Sequence, residues 1–154
     1  MRLLRNLLRL TLVFSLGFVS IGAVLLAAEP AQQVQLRIGS ILASNQSKEF
    51  DPKLGKWKKQ LEVFKYQSYK LIREDSQRAG WRTDATFEIP GGRSLIVAPQ
   101  ERRNNQLALK VRLVDREKTL VDTTVTLSEG GNFLLGGPPH EGGVLILSIS
   151  ASTN

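Results

Sequence analysis

Two runs of alternating residues constrain this chain more than any other feature. Leu107, Leu109, Val111 and Leu113 alternate with Ala108, Lys110, Arg112 and Val114, and Val121, Thr123, Val125 and Leu127 alternate with Asp122, Thr124 and Thr126. A period of two with one apolar face specifies half-buried strands. If residues 116–118 form a three-residue loop, Leu113 faces Val121, Val111 faces Thr123, Leu109 faces Val125 and Leu107 faces Leu127. On the other face Arg112 meets Asp122 and Lys110 meets Thr124. A slip of one residue puts Val111 opposite Asp122 and breaks both faces, so the pattern sets the register.

The flanking sequence supplies more strands. Val34, Leu36 and Ile38 alternate with Gln35, Arg37 and Gly39, and Ile41-Leu42 continues the run. Residues 44–49 are polar and read as a loop. Asp51 is a good N-cap and Pro52 suits the first helical position. At about 100° per residue, Leu54, Trp57, Leu61 and Phe64 fall in a stripe about 80° wide, with Lys56 and Lys59 opposite. One amphipathic helix is expected there, lying on a sheet.

Residues 65–73 read as a strand with Tyr66 and Tyr69 on opposite faces, so that one of them is exposed beside Lys65 and Arg73. Residues 74–80 read as a polar turn. Residues 81–89 read as a strand with Ala85, Phe87 and Ile89 on one face. Pro90-Gly91-Gly92 is a turn signal, residues 93–98 the hairpin partner, and residues 99–105 a charged loop. Glu129-Gly130-Gly131 turns the chain again. Phe133-Leu134-Leu135 and Val144-Leu145-Ile146-Leu147 are continuous apolar runs, typical of strands buried on both faces. The C-terminal run is therefore expected at the centre of a sheet, and a chain ending at Gly143 is not expected to fold.

The sum is a mainly β chain of about eight strands with one amphipathic helix, an antiparallel β-sandwich or a small open barrel. The alternative is an α+β layer with the helix packed on one face of an antiparallel sheet. The strand–helix–strand opening over residues 34–73 favours the alternative, and the meander from Trp81 onward favours the sandwich.

Residues 1–28 read as an address. Arg2, Arg5 and Arg9 precede an uncharged run over residues 10–28, closed by Glu29 and Pro30. This is the layout of a signal peptide cleaved after Ala28, and the run is also about long enough to act as an uncleaved N-terminal membrane anchor. Either way residues 29–154, a single β-rich domain, are expected to be exported, with a bacterial periplasm or cell surface favoured. Any membrane contact would run through residues 10–28. Three of the 21 basic residues lie in that address, so residues 29–154 carry +4 of the total of +7. The chain has no cysteine, which excludes disulfides, a thiolate metal site, a cysteine nucleophile and a lipidated cysteine.

Motifs with chemistry in them are few. Gly136, Gly137, Pro138, Pro139, His140 and Glu141 open a glycine-rich connection that could serve as a ligand or partner loop. It has no Lys-Ser/Thr ending and leads into a strand, so it lacks the context of a phosphate loop. His140 is the one histidine, and a metal site needs three or four ligands. No nucleophile elbow and no paired carboxylates stand out. No catalytic residue, metal ligand or cofactor is therefore expected, and the chain is not read as an enzyme.

The strongest charge feature is a basic patch of Lys53, Lys56, Lys59, Lys65 and Lys70, with Lys58 among them. Trp57, Tyr66 and Tyr69 interleave with these lysines, a pattern that can bind nucleic acid or an anionic polymer. Trp57 belongs to the apolar stripe, and an exported chain seldom meets nucleic acid, so nucleic acid is disfavoured. Three functions remain as expectations. The first is a non-enzymatic interaction module of the cell envelope, binding another envelope protein by a sheet edge or the loop end. The second is a module for an anionic glycan or lipid surface, using the lysine-rich helix. The third is an enzyme with an unfamiliar site near the glycine-rich segment.

Overall fold

The computed structural model describes residues 32–153. The expected signal peptide or anchor, residues 1–28, lies outside the described residues. Among those described, no helix is long and apolar enough to cross a membrane.

Eight strands form two antiparallel four-stranded sheets. In chain order they are β1 (Gln33–Ser44), β2 (Ser68–Gly80), β3 (Ala85–Ile89), β4 (Arg93–Arg103), β5 (Gln106–Asp115), β6 (Lys118–Ser128), β7 (Asn132–His140) and β8 (Gly143–Ser152). The first sheet runs β2-β1-β8-β7 and the second is the meander β3-β4-β5-β6. The inner faces share one core. Val34, Leu36 and Ile38 of β1 and Leu145, Leu147 and Ile149 of β8 meet Phe87, Leu95, Val97, Leu109 and Val111 of the second sheet. The sandwich expectation holds. The helix of the alternative picture is also present, as a third layer on the outer face of the first sheet. There Leu54 and Leu61 close over Ile41, Ala43, Tyr69 and Ile146.

The register of β5 with β6 is the one that alternation dictates, from Leu107 opposite Leu127 to Leu113 opposite Val121. The turn is shorter than the expected three residues. Lys118 pairs with Asp115, leaving Arg116 and Glu117 as the turn, and Leu120 is left unpaired as a bulge. The bulge restores the parity that the short turn would otherwise invert.

Other elements differ from expectation. The helix is not continuous: a 3-10 segment (Pro52–Trp57), one α turn (Lys58–Leu61) and another 3-10 turn (Glu62–Phe64) follow one another. Gly55 weakens the helix, and Trp57 departs from helical angles at φ −107°, ψ 6°. Lys65 ends the segment in the left-handed region, so residues 65–67 are not strand and Tyr66 is not across a strand from Tyr69. Residues 74–80, expected as a turn, continue β2. As an edge strand its polar side chains can stay wet, and Arg37–Glu74 (3.5 Å) and Arg78–Gln35 (3.1 Å) link it to β1. Residues 81–84 are a turn rather than strand, with Thr83 N–H donating to Gly80 O.

Residues 99–103, expected as a loop, extend β4 past a bulge at Gln100. That irregularity tolerates Pro99, which lacks an N–H for the ladder. The glycine-rich stretch is likewise mostly strand. Gly136 to His140 belong to β7, and only Glu141 and Gly142 turn, both with positive φ (42° and 77°). That is the backbone a two-residue hairpin turn requires.

β8 lies between β1 and β7, pairs with both, and buries Leu145 through Ile149 on both faces. β7 departs from its expected burial: both of its faces are covered in part, but it is an edge strand, and Phe133, Leu134 and Leu135 are only half-buried. Leu147→Ala should lower stability by about 2–5 kcal/mol, as for a fully buried leucine, whereas Thr124→Ala on the exposed face of β6 should change it by less than about 0.5 kcal/mol. Chemical denaturation of the two variants measures the contrast, and equal effects would refute the placement of β8.

Candidate functional site

The helical insertion, residues 52–64, is held to the first sheet by a small set of polar contacts. Asp51 accepts the Lys53 N–H on Oδ1 (3.0 Å) and the Leu71 N–H on Oδ2 (3.1 Å), so one carboxylate caps the insertion and ties it to β2. Tyr69 is buried, and its hydroxyl donates to Leu61 O (2.7 Å) and accepts the Tyr66 N–H (3.0 Å). Of the two tyrosines, Tyr66 is therefore the more accessible, though half-buried.

Every lysine of the basic patch, Lys53, Lys56, Lys59, Lys65 and Lys70, is exposed. Of the interleaved aromatics, Tyr69 is buried and Trp57 and Tyr66 are half-buried. Lys56 Nζ lies 4.6 Å from the Trp57 ring centre and Lys58 Nζ 5.4 Å from that of Phe50. Trp57 is half-buried against the outer core, so its accessible face carries Lys56.

The glycine-rich segment is a packed strand end. A Cβ at Gly137 would stand 2.9 Å from Leu145 O, and one at Gly136 would stand 3.3 Å from Phe64 Cε1. Gly136 thus lets the insertion close against β7. Pro139 O accepts from Arg93 Nη2 (3.1 Å), while Arg93 also pairs with Asp115 (3.3 Å) and donates to Pro90 O (3.2 Å). Arg93 in this way clasps the β3–β4 turn to the end of β7. The His140 ring lies beside the same turn, largely covered, with Nε2 3.8 Å from the exposed carboxylate of Glu141. Among the described residues no three acidic or histidine side chains converge in a way that could hold a metal.

A groove of about 330 Å³ opens where the insertion meets the edge of β7, lined by Gln60, Val63, Phe64, Asn132, Phe133 and Leu134. Three large apolar side chains of the described residues are exposed: Ile72 at 37%, Leu120 at 38% and Val63 at 75%. Ile72 and Leu120 are the unpaired residues of the bulges in β2 and β6. Val63 has no such backbone reason. The sequence carried a signal for it: at about 100° per residue it falls opposite the apolar stripe, an apolar residue on the lysine side.

Comparisons of the chain with protein-family models, with curated proteins and with solved structures find no match.

The Asp51 carboxyl is held below its usual value of 3.8, first by the Lys53 N–H and further by the Leu71 N–H and the charges of Lys53 and Lys70, against an opposing effect of desolvation. Because the folded value lies below the unfolded one, its contribution to stability is complete above about pH 4 and lost as pH falls through the folded value. Asp51→Ala should lower the melting temperature at pH 7, and the gap from the parent should close on acidification. A gap that persists undiminished at pH 2 would show that the charge is immaterial.

Proposed function

We propose that this chain is a non-enzymatic interaction module of the cell envelope. It binds another envelope protein by taking an extended, uncharged segment of that partner as an added strand along residues 132–136 of β7. Strand addition draws affinity from unpaired backbone groups and specificity from pockets for alternate side chains.

Val63 carries the proposal. It overhangs a stretch of sheet edge that lacks both charge and proline and borders a groove lined by apolar side chains. Exposed edges are normally blunted by charge, bulges, proline or shortness. β2 has a bulge at Ile72 and the run Arg73, Glu74, Asp75; β3 has five residues; the first half of β6 has a bulge at Leu120 together with Lys118 and Asp122, while its second half, residues 123–128, is uncharged but threonine-rich. The far half of β7 contains Pro138 and Pro139. The near half, Asn132-Phe133-Leu134-Leu135-Gly136, has neither charge nor proline and lies beside the groove.

The test is a pull-down from envelope extract with the full-length chain and two variants. Val63→Lys adds a charge at the open edge, and Leu120→Lys adds the same charge at a blunted one. Both sites are exposed, so stability should change by less than about 0.5 kcal/mol. A partner retained by the parent and by Leu120→Lys but lost by Val63→Lys is the expected result. Equal retention by all three, or selective loss with Leu120→Lys, would reject the β7 edge.

A further inference from the structure

The helical insertion covers only part of the outer face of the first sheet. It closes over Ile41, Ala43 and Ile146 and leaves the opposite end of the β1–β8 pair bare. There the outward positions are Gln35 opposite Ser152 and Arg37 opposite Ser150. The short serine side chains leave the floor low. Lys56 from the insertion and Gly130 from the β6–β7 turn complete the lining of a cleft of about 200 Å³.

We propose that this cleft binds one acidic sugar unit of an anionic polysaccharide. The cleft is smaller than the roughly 300–1,000 Å³ that holds a whole drug-sized ligand, which suits a single unit of a chain running on beyond it. Two cations from separate elements border it. Arg37 has a half-exposed ion pair with Glu74 at 3.5 Å, leaving guanidinium donors free for a second carboxylate. Lys56 is held over the Trp57 ring, so less side-chain freedom is lost when it meets an anion. The neutral lining suits sugar hydroxyls. Gln35 offers an amide, and Ser150 donates its own proton to Asn132 Oδ1 (3.0 Å), keeping its oxygen as an acceptor. An anion alone would use the cations and waste the hydroxyls, and a neutral sugar the reverse.

A flat anionic membrane fits less well. Lys53, Lys58 and Lys59, the exposed charges such a surface would use, do not line the cleft. The cleft shares no residue with the β7 groove, so its failure and that of the edge-strand proposal are separate.

Calorimetric titration of the full-length chain in detergent tests this with trigalacturonate as the acidic sugar, maltotriose as the neutral one and glycerophosphoglycerol as a lipid headgroup. Trigalacturonate should bind and the other two should bind far more weakly. Arg37→Gln and Lys56→Gln should each weaken trigalacturonate by about tenfold or more, the size of a lost charge-assisted hydrogen bond. The double variant Lys53→Gln/Lys59→Gln removes more charge outside the cleft and should change affinity less than about twofold, since separated surface charges are screened. Absence of trigalacturonate binding, tighter binding of the headgroup, or an equal loss in the double variant would overturn the proposal.

Discussion

The pairing of β1 with β8 is the contact on which the rest of the molecule depends. It joins the first and last strands of the described chain through an antiparallel ladder from Gln35–Ser152 to Ala43–Val144. The pair is apolar along its inner side and at one end of its outer side. Leu36, Ile38, Leu147 and Ile149 face the second sheet, and Ile41 and Ile146 face the helical insertion. A strand pair with two apolar faces needs two covering layers, since each uncovered leucine or isoleucine forgoes about 1.5–3 kcal/mol of burial. The meander β3–β6 is one layer and the insertion is the other. Without cysteine, this burial is what holds the domain together.

That arrangement also explains where the surface is unusual. The insertion is too short to cover the whole outer face of the first sheet. Where it lies, it brings Val63 and Phe64 up to the uncharged half of β7. Where it stops, the outward positions of β1 and β8 turn from Ile41 and Ile146 to Arg37, Ser150, Gln35 and Ser152. Both candidate surfaces are therefore borders of one layer. The glycine-rich segment, the most conspicuous motif of the sequence, serves chiefly to fit β7 beneath Phe64 and against β8.

The sequence was most legible where a single face is buried. Alternation alone specified the β5–β6 register, and the unbroken run Val144-Leu145-Ile146-Leu147 marked a strand covered on both sides. It was least legible at edges. The polar run from Glu74 to Arg78 resembles a turn because an edge strand has little to bury, and its place is set by partners in β1 that lie about forty residues away. Pro99 and Pro138 likewise suggest loops, and only the bulges beside them show that the strands continue. Of the candidate surfaces, the lysines of the insertion were visible in the sequence. The cleft was not, because Arg37 and Ser150 are 113 positions apart and meet only through the β1–β8 register.

Residue-resolved amide hydrogen exchange on the intact chain tests this organisation most directly. Amides of β1 over residues 38–43 and of β8 over residues 145–149 should exchange slowest and together, through global unfolding. The outward-facing amides of residues 132–136 should exchange by local opening, orders of magnitude faster. Fast local exchange within β8, or protection of those outward β7 amides equal to that of β8, would contradict both the central pair and the open edge.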